Sequence, residues 1–227
     1  MRTLSEQEFK EIQRSIFHKE ISSAEVLAEI YDHYVSHLQD YPEKEFNNQL
    51  FELDQKFTYA YCHTLQSKFN KSVREDIGKT QWKVLQSYFC TSRWIYAAWI
   101  LAIIFFVANQ AKSQQEIGIL LLSPLILLVI MSFVFDWRVR QKTRPIKSIF
   151  KEMGIPITSS ASTPISERFY LPVMLAQVLI YFPRLLSIEL PFSDLAPGIA
   201  AVITALLILY MLSLLEVWKL KSKTALL

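Results

Sequence analysis

The stretch EIYDHYVSH, Glu29 to His37, places Glu29, His33 and His37 four residues apart. On a helix that spacing sets three potential metal ligands along one side. A structural zinc takes four ligands and a catalytic one usually three. The other candidates to complete a set are Cys62 and His63, in the following helix. Apolar periodicity decides whether these groups can meet. Wound at the helical repeat, Leu27, Ile30, Tyr31, Tyr34, Leu38 and Tyr41 form one stripe about 100° wide. Glu29 falls opposite it, and His33 and His37 climb from the polar face to its edge. In the following segment Phe46, Leu50, Leu53, Phe57 and Tyr61 form the packing stripe. On a continuous helix there, Cys62 and His63 both fall off that stripe. The ligands do not converge, so His33 and His37 read as helix-surface or boundary residues, and no metal or other cofactor is expected.

Other chemistry has less support. The four glycines, at 78, 118, 154 and 198, are scattered. Dinucleotide and phosphate loops need clustered positions without a Cβ, so both are excluded. Cys62 and Cys90 have no CxxC partner and read as free thiols. No serine or cysteine has an evident histidine and acid partner, and no catalytic residue is assigned. The polar start, MRTLSEQEFKEIQ, carries no apolar core of a cleavable leader.

The elements that position these residues fall into two materials. Residues 1–93 hold 12 Lys/Arg and 14 Asp/Glu, a difference of −2, and read as helical throughout. Ser5-x-x-Glu8 and Ser22-x-x-Glu25 have capping-box form. Helices are expected over about 6–19, 23–40 and 43–69, with another from about 72 running toward the first apolar run. Beyond residue 93 come four apolar runs: Trp94–Ala108 (its helix beginning before Trp94 and extending to Gln110), Ile117–Phe135, Phe169–Ile188 and Gly198–Trp218. About 20 apolar residues span a bilayer. The expected fold is therefore all-α, a cytoplasmic helical bundle (1–92) followed by four transmembrane helices (93–227). Its polar groups near the spans are few. Arg184 can reach Glu189 or Asp194, Glu216 sits beside Lys219, and Gln177 lies near mid-membrane.

The connection 136–168 is basic, with Arg138, Arg140, Lys142, Arg144, Lys147 and Lys151. The tail adds Lys219, Lys221 and Lys223, whereas the alternate connections are poor in cations. That bias places both termini in the cytoplasm of a multi-pass bacterial inner-membrane protein. Pro145 and Gly154 bracket a short amphipathic helix carrying Ile146, Ile149, Phe150 and Met153. It is expected to lie in the interface, its six cations on anionic head groups rather than nucleic acid. ITSSASTPIS then reads as a polar linker.

EVLAEIYDHYVSHLQD, between an acidic first helix and a long helix ahead of several spans, resembles the HAAS-type cytoplasmic module of poorly characterised bacterial membrane proteins. The matching positions are Glu29, Asp32 and His33, and the resemblance covers about residues 3–70. NQLFELDQKFTYAY stands where such proteins often have a Gly-rich segment. The resemblance implies a regulatory or signalling membrane protein without established catalysis. The first functional expectation is a cytoplasmic bundle that binds a protein partner, with Phe51, Tyr59 and His63 as the contact surface. A homo-oligomer is compatible with it. A subunit of a small transporter or channel is the second expectation, and a membrane enzyme with a sparse site the third. Residues 1–92 are expected to fold alone.

Overall fold

The computed structural model describes residues 2–90, 93–154, 156–178 and 196–222. Among these the chain is helical, without strands. The helices are α1 (Glu6–Phe17), α2 (Ala24–Gln39), α3 (Phe46–Lys56), α4 (Tyr59–Cys90), α5 (Trp94–Gln110), α6 (Gln114–Ile149), α7 (Ser162–Ala176) and α8 (Pro197–Lys221). Short 3-10 turns cover Glu43–Glu45 and Lys151–Met153. Two compact units result: residues up to Glu75 together with Arg138–Ser162, and Asp76–Trp137 together with Thr163–Thr224. The first takes in a segment that lies between two spans in sequence. The second begins well before the expected boundary near residue 93.

α1 starts as its sequence demands. Ser5 Oγ accepts from the Glu8 backbone N–H at 3.3 Å, and the Glu8 carboxylate accepts from the Ser5 N–H at 2.8 Å. The box satisfies two otherwise unpaired helix-end donors. Arg2 grips the same carboxylate through both terminal nitrogens, at 2.9 and 2.6 Å. This guanidinium holds Glu8 below its ordinary carboxylate range, against the opposing effect of burial. A depressed folded pKa gives stability that is complete above the unfolded value, about 4.3, and is lost as pH falls through the folded one. Glu8→Gln should therefore cost about 1 kcal/mol at neutral pH, and the gap in Tm from the parent should close on acidification. A pH-independent gap in thermal melts would assign the effect to packing instead.

The second capping box does not form. The N-cap of α2 is Ser23, whose Oγ accepts from the Val26 N–H at 3.3 Å. Glu25 then lies one position too early to reach back to the cap, and its carboxylate is used elsewhere. The third expected helix also differs. It breaks at Phe57, which leaves the helical region with φ −96° and ψ 62°. Thr58 restarts the chain, its Oγ1 accepting from the Tyr61 N–H at 3.3 Å. No break follows near residue 70, because Asn70-Lys71-Ser72 contains neither Gly nor Pro and α4 runs through it.

The core of the first unit is built by Ile12, Ile16, Leu27, Tyr34, Leu38 and Leu53. At its edge lies Asp54, its side chain about one-third exposed; Asp54 Oδ1 accepts from Tyr34 Oη at 3.1 Å and from Ser15 Oγ, and pairs with Lys19 Nζ at 3.0 Å. Burial, reinforced by Asp54, pushes the Tyr34 phenol far above its ordinary range. Ile146, Phe150 and Ile157 complete the same core, with Ile149 and Met153 packed against it. The separate interfacial helix expected from Pro145 is thus corrected: α6 continues through it to Ile149. The apolar side meant for lipid fills the protein interior, Phe150 standing edge-on to Tyr31 at 5.7 Å. Gly154 does end the helical segment, at φ 70°, the left-handed conformation that glycine adopts without strain. The expected linker is only partly a linker, since Ser162 onward forms α7.

In the second unit α5 and α8 pack through Ile104, Ala108, Ala201 and Ala205. Small residues let helix backbones approach closely where no hydrophobic force from water operates. Phe135 of α6 meets Phe169 of α7 at 5.8 Å and Trp218 of α8 at 5.4 Å. α6 and α8 are each long and apolar enough to cross a membrane, and a third crossing results if α4 and α5, which meet at a bend, form one broken span. Outward-facing Phe106, Ile119 and Phe133 are each about two-thirds exposed. Such faces suit a hydrocarbon solvent rather than water. α5 begins at Trp94, not before it. Of the expected run Phe169–Ile188, only the part up to Val178 lies within the described residues, and Arg184, Glu189 and Asp194 lie outside them.

Candidate functional site

The EIYDHYVSH helix presents its histidines to aromatic neighbours. The His33 and His37 rings stack at 6.3 Å, and His33 stands edge-on to Phe57 at 5.2 Å. His37 lies 5.1 Å from Tyr41, with Nε2 3.2 Å from Gln49 Oε1. Phe57 in turn meets Tyr61 at 5.8 Å. A row of rings, Tyr61, Phe57, His33, His37 and Tyr41, therefore crosses the junction of α2, α3 and α4. Glu29 and Asp32 are exposed on the outer face of α2. Among the described residues no three His, Cys, Asp or Glu side chains are placed to hold a metal ion.

Cys62 corrects the expectation that it lies off the packing face. It is fully buried, its Sγ 3.7 Å from the Phe57 carbonyl oxygen. The break at Phe57–Thr58 resets the helical phase, turning Cys62 inward and leaving Tyr61 half exposed. Burial raises the thiol pKa, and Asp54 adds to this while Lys19 opposes it. The thiol is accordingly a core group rather than a nucleophile.

Of the residues expected to meet a partner, Phe51 and Tyr59 are on the surface and His63 is half-buried. Phe51 is 63% exposed on α3 and Tyr59 51% exposed on α4. Tyr59 covers His63, ring centroids 4.2 Å apart, and the His63 Nε2 is buried with no hydrogen-bond partner among the described residues. Tyr61 adds a further exposed ring. The cations Arg138, Arg140, Lys142, Arg144, Lys147 and Lys151 are all exposed as well.

One polar site escaped the sequence reading. Glu25 accepts from the Ser160 N–H at 2.8 Å, from Ser23 Oγ at 3.3 Å and from Ser159 Oγ. The backbones of Ser23 and Thr158 form a parallel bridge, with Ala24 N–H donating to the Thr158 carbonyl at 2.9 Å and Thr158 N–H to the Ser22 carbonyl at 2.8 Å. Gln66 Oε1 accepts from the Ser22 and Ser23 N–H groups at 2.9 and 3.0 Å. Residues 156–161 are thereby clasped to the start of α2. The available signal was Ile157 and Ala161, two apolar residues one helical turn apart within a polar run.

In the second unit Arg93 and Glu216 form an ion pair at 2.9 Å, so Glu216 pairs across helices rather than with its neighbour Lys219. Lys221 pairs with Asp76. Arg168 donates to Gln81 Oε1 at 3.0 Å, and Tyr210 Oη donates to the Arg168 carbonyl at 2.9 Å. Gln177 is exposed. Buried Ser132 and Ser213 donate to carbonyls of their own helices, but Gln81 Nε2 and Thr204 Oγ1 are buried without a partner among the described residues.

Comparison with protein-family models, with curated proteins and with solved structures finds no match to this chain. The fold and surfaces therefore define its class by themselves: among the described residues, an all-helical protein with two or three helices fit to cross a membrane and a second compact helical unit.

Proposed function

We propose that the chain is a multi-pass protein of the bacterial inner membrane whose N-terminal bundle binds a cytoplasmic protein partner in a regulatory or signalling role. The supporting observation is the pairing of a filled core with large unused apolar surface. Ile12, Ile16, Leu27, Leu38 and Leu53 are 0% exposed, yet Phe51, Tyr59 and Tyr61 of the same unit remain more than half exposed. Exposed aromatic rings on a unit with its own core mark an interaction surface. The resemblance of residues 3–70 to the HAAS-type module supports the same role. The four apolar runs support four spans, and the charge of the connections supports both termini inside. Reporter fusions test this: a cytoplasm-active reporter should work after Ser160, and a periplasm-active one after Gln115. Periplasmic activity at Ser160 would overturn the topology. Affinity purification from native membranes tests the function. Phe51→Ala should reduce partner recovery at least tenfold, as expected for an aromatic hot spot, while changing Tm little.

A second reading, a small transporter or channel subunit, draws support from Thr204. Thr204 lies within the apolar helix α8 with its hydroxyl buried and unpartnered among the described residues, and such a polar group in a span is a site for an ion, water or substrate. It predicts that Thr204→Val abolishes a measurable flux in vesicles. Under the interaction reading the same variant leaves partner recovery unchanged.

A further inference from the structure

We infer that this chain binds a second copy of itself through two oppositely charged helix faces of the N-terminal unit. The cationic face is on α6. Val139, Thr143, Ile146 and Phe150 are buried and define its inner side. Arg140, Arg144 and Lys147, with Lys151 just beyond the helix, recur at i, i+4, i+7 and i+11 and are exposed. That spacing gathers four positive charges on one side, within about 60° of arc. The acidic face is on α2. Glu29 and Asp32, with the C-cap Asp40, are exposed opposite the buried stripe of Leu27, Tyr34 and Leu38, and α2 itself contains no Lys or Arg.

The two faces match in extent. Glu29 to Asp40 and Arg140 to Lys151 each cover eleven residue steps, about 16 Å of helix. They do not neutralise each other within one copy. Tyr31, on one flank of α2, meets Phe150 of α6, whereas His33 and His37, on the other flank, meet Phe57 and Tyr41. None of these seven charged side chains makes an ion pair among the described residues. A second copy supplies the complement of each face, and because the faces differ, the contact is head-to-tail.

An anionic bilayer is the competing occupant of the cations, and the helix length disfavours it. α6 has 36 residues, against about 20 needed to cross the hydrocarbon. Arg140, five residues beyond Phe135, stays within reach of head groups, but Arg144, Lys147 and Lys151 lie 9, 12 and 16 residues beyond it, about 14, 18 and 24 Å along the chain, against a Debye length of about 8 Å at physiological salt. The apolar residues that could have held this segment on the bilayer are in the protein core.

The test uses the full chain in uncharged detergent, its mass followed against concentration by light scattering. Association is expected at about 50 mM salt, with Kd rising roughly tenfold or more at about 500 mM. Arg140→Glu/Arg144→Glu/Lys147→Glu should weaken self-association at least tenfold, and so should Glu29→Lys/Asp32→Lys/Asp40→Lys. Mixing the two variants should restore a complex, which also shows that both are folded. Lys44→Glu/Lys56→Glu/Lys68→Glu, with the same change in charge elsewhere, should leave association intact. A chain that stays monomeric at low salt, an oligomer indifferent to the paired reversals, or equal weakening by the control would overturn the proposal. So would a cation reversal that only lowers binding to phosphatidylglycerol vesicles relative to phosphatidylcholine ones.

Discussion

Phe150→Ala is expected to destabilise the N-terminal unit by about 3–5 kcal/mol, the usual cost of truncating a buried aromatic ring. Phe150 is 1% exposed and lies in one cluster with Ile146, Ile157 and the side chains of α1 to α3. Removing the ring leaves a cavity that helix ends fixed by the Glu25 clasp cannot close. Arg144→Ala, six residues away and exposed, should change stability by no more than about 0.5 kcal/mol. The buried Cys62 thiol supplies a local probe: its labelling by a maleimide during urea unfolding of the full chain should begin at much lower denaturant in Phe150→Ala. The same packing reverses the expectation that residues 1–92 fold alone. That fragment should be unfolded or loosely packed, and a peptide of residues 138–162 should restore its cooperative melt. A fragment as stable as the unit in the full chain would show that the inter-span segment is not part of the core.

Asp54→Ala should cost about 2 kcal/mol, less than for a fully buried pair because the Asp54 side chain is 34% exposed. Asp54 Oδ1 takes hydrogen bonds from Ser15 and Tyr34 and pairs with Lys19. Tyr34 is fully buried and Lys19 is 9% exposed, so the substitution strands a hydroxyl and a charge away from water. Lys19 is the buried member of the pair, and removing only its partner leaves that charge uncompensated, which is costlier than removing both. Asp54→Leu/Lys19→Met should accordingly recover most of the loss. The double substitution being worse than Asp54→Ala alone would contradict this account. Asp54→Asn should fall between, because the amide oxygen still accepts from Tyr34 but no longer balances the ammonium.

Much of this was legible in the sequence where a local rule acted alone. The apolar runs that became α5, α6 and α8 announced themselves by composition. Ser5-x-x-Glu8 formed its capping box, and the stripe of Leu27, Tyr34 and Leu38 did face the core. The misreadings arose where a local signal competed with a tertiary one. Ser22-x-x-Glu25 has the form of a box, but the cap shifted to Ser23 and Glu25 went to a segment 134 residues away. Pro145 looks like a helix start, yet its missing N–H was outweighed by the inward packing of Ile146 and Phe150. The restart at Thr58 carries no Gly or Pro to mark it, so a wheel drawn through it placed Cys62 on the wrong face. The candidate surface fared unevenly. Phe51 and Tyr59 are exposed where periodicity put them off the stripe, whereas the ring row through His33 and His37 depends on contacts with Phe57 that no single-helix wheel can display.

The central claim is that the exposed rings of the bundle meet a partner protein at the membrane. Site-specific photocrosslinking in native membranes tests it most directly. A photoreactive residue replacing Phe51 or Tyr59 should give one discrete protein adduct, the same from both positions. The exposed control position Gln7 on α1 should give none. Equal adducts from all three positions, or no protein adduct from Phe51 and Tyr59, would contradict the account.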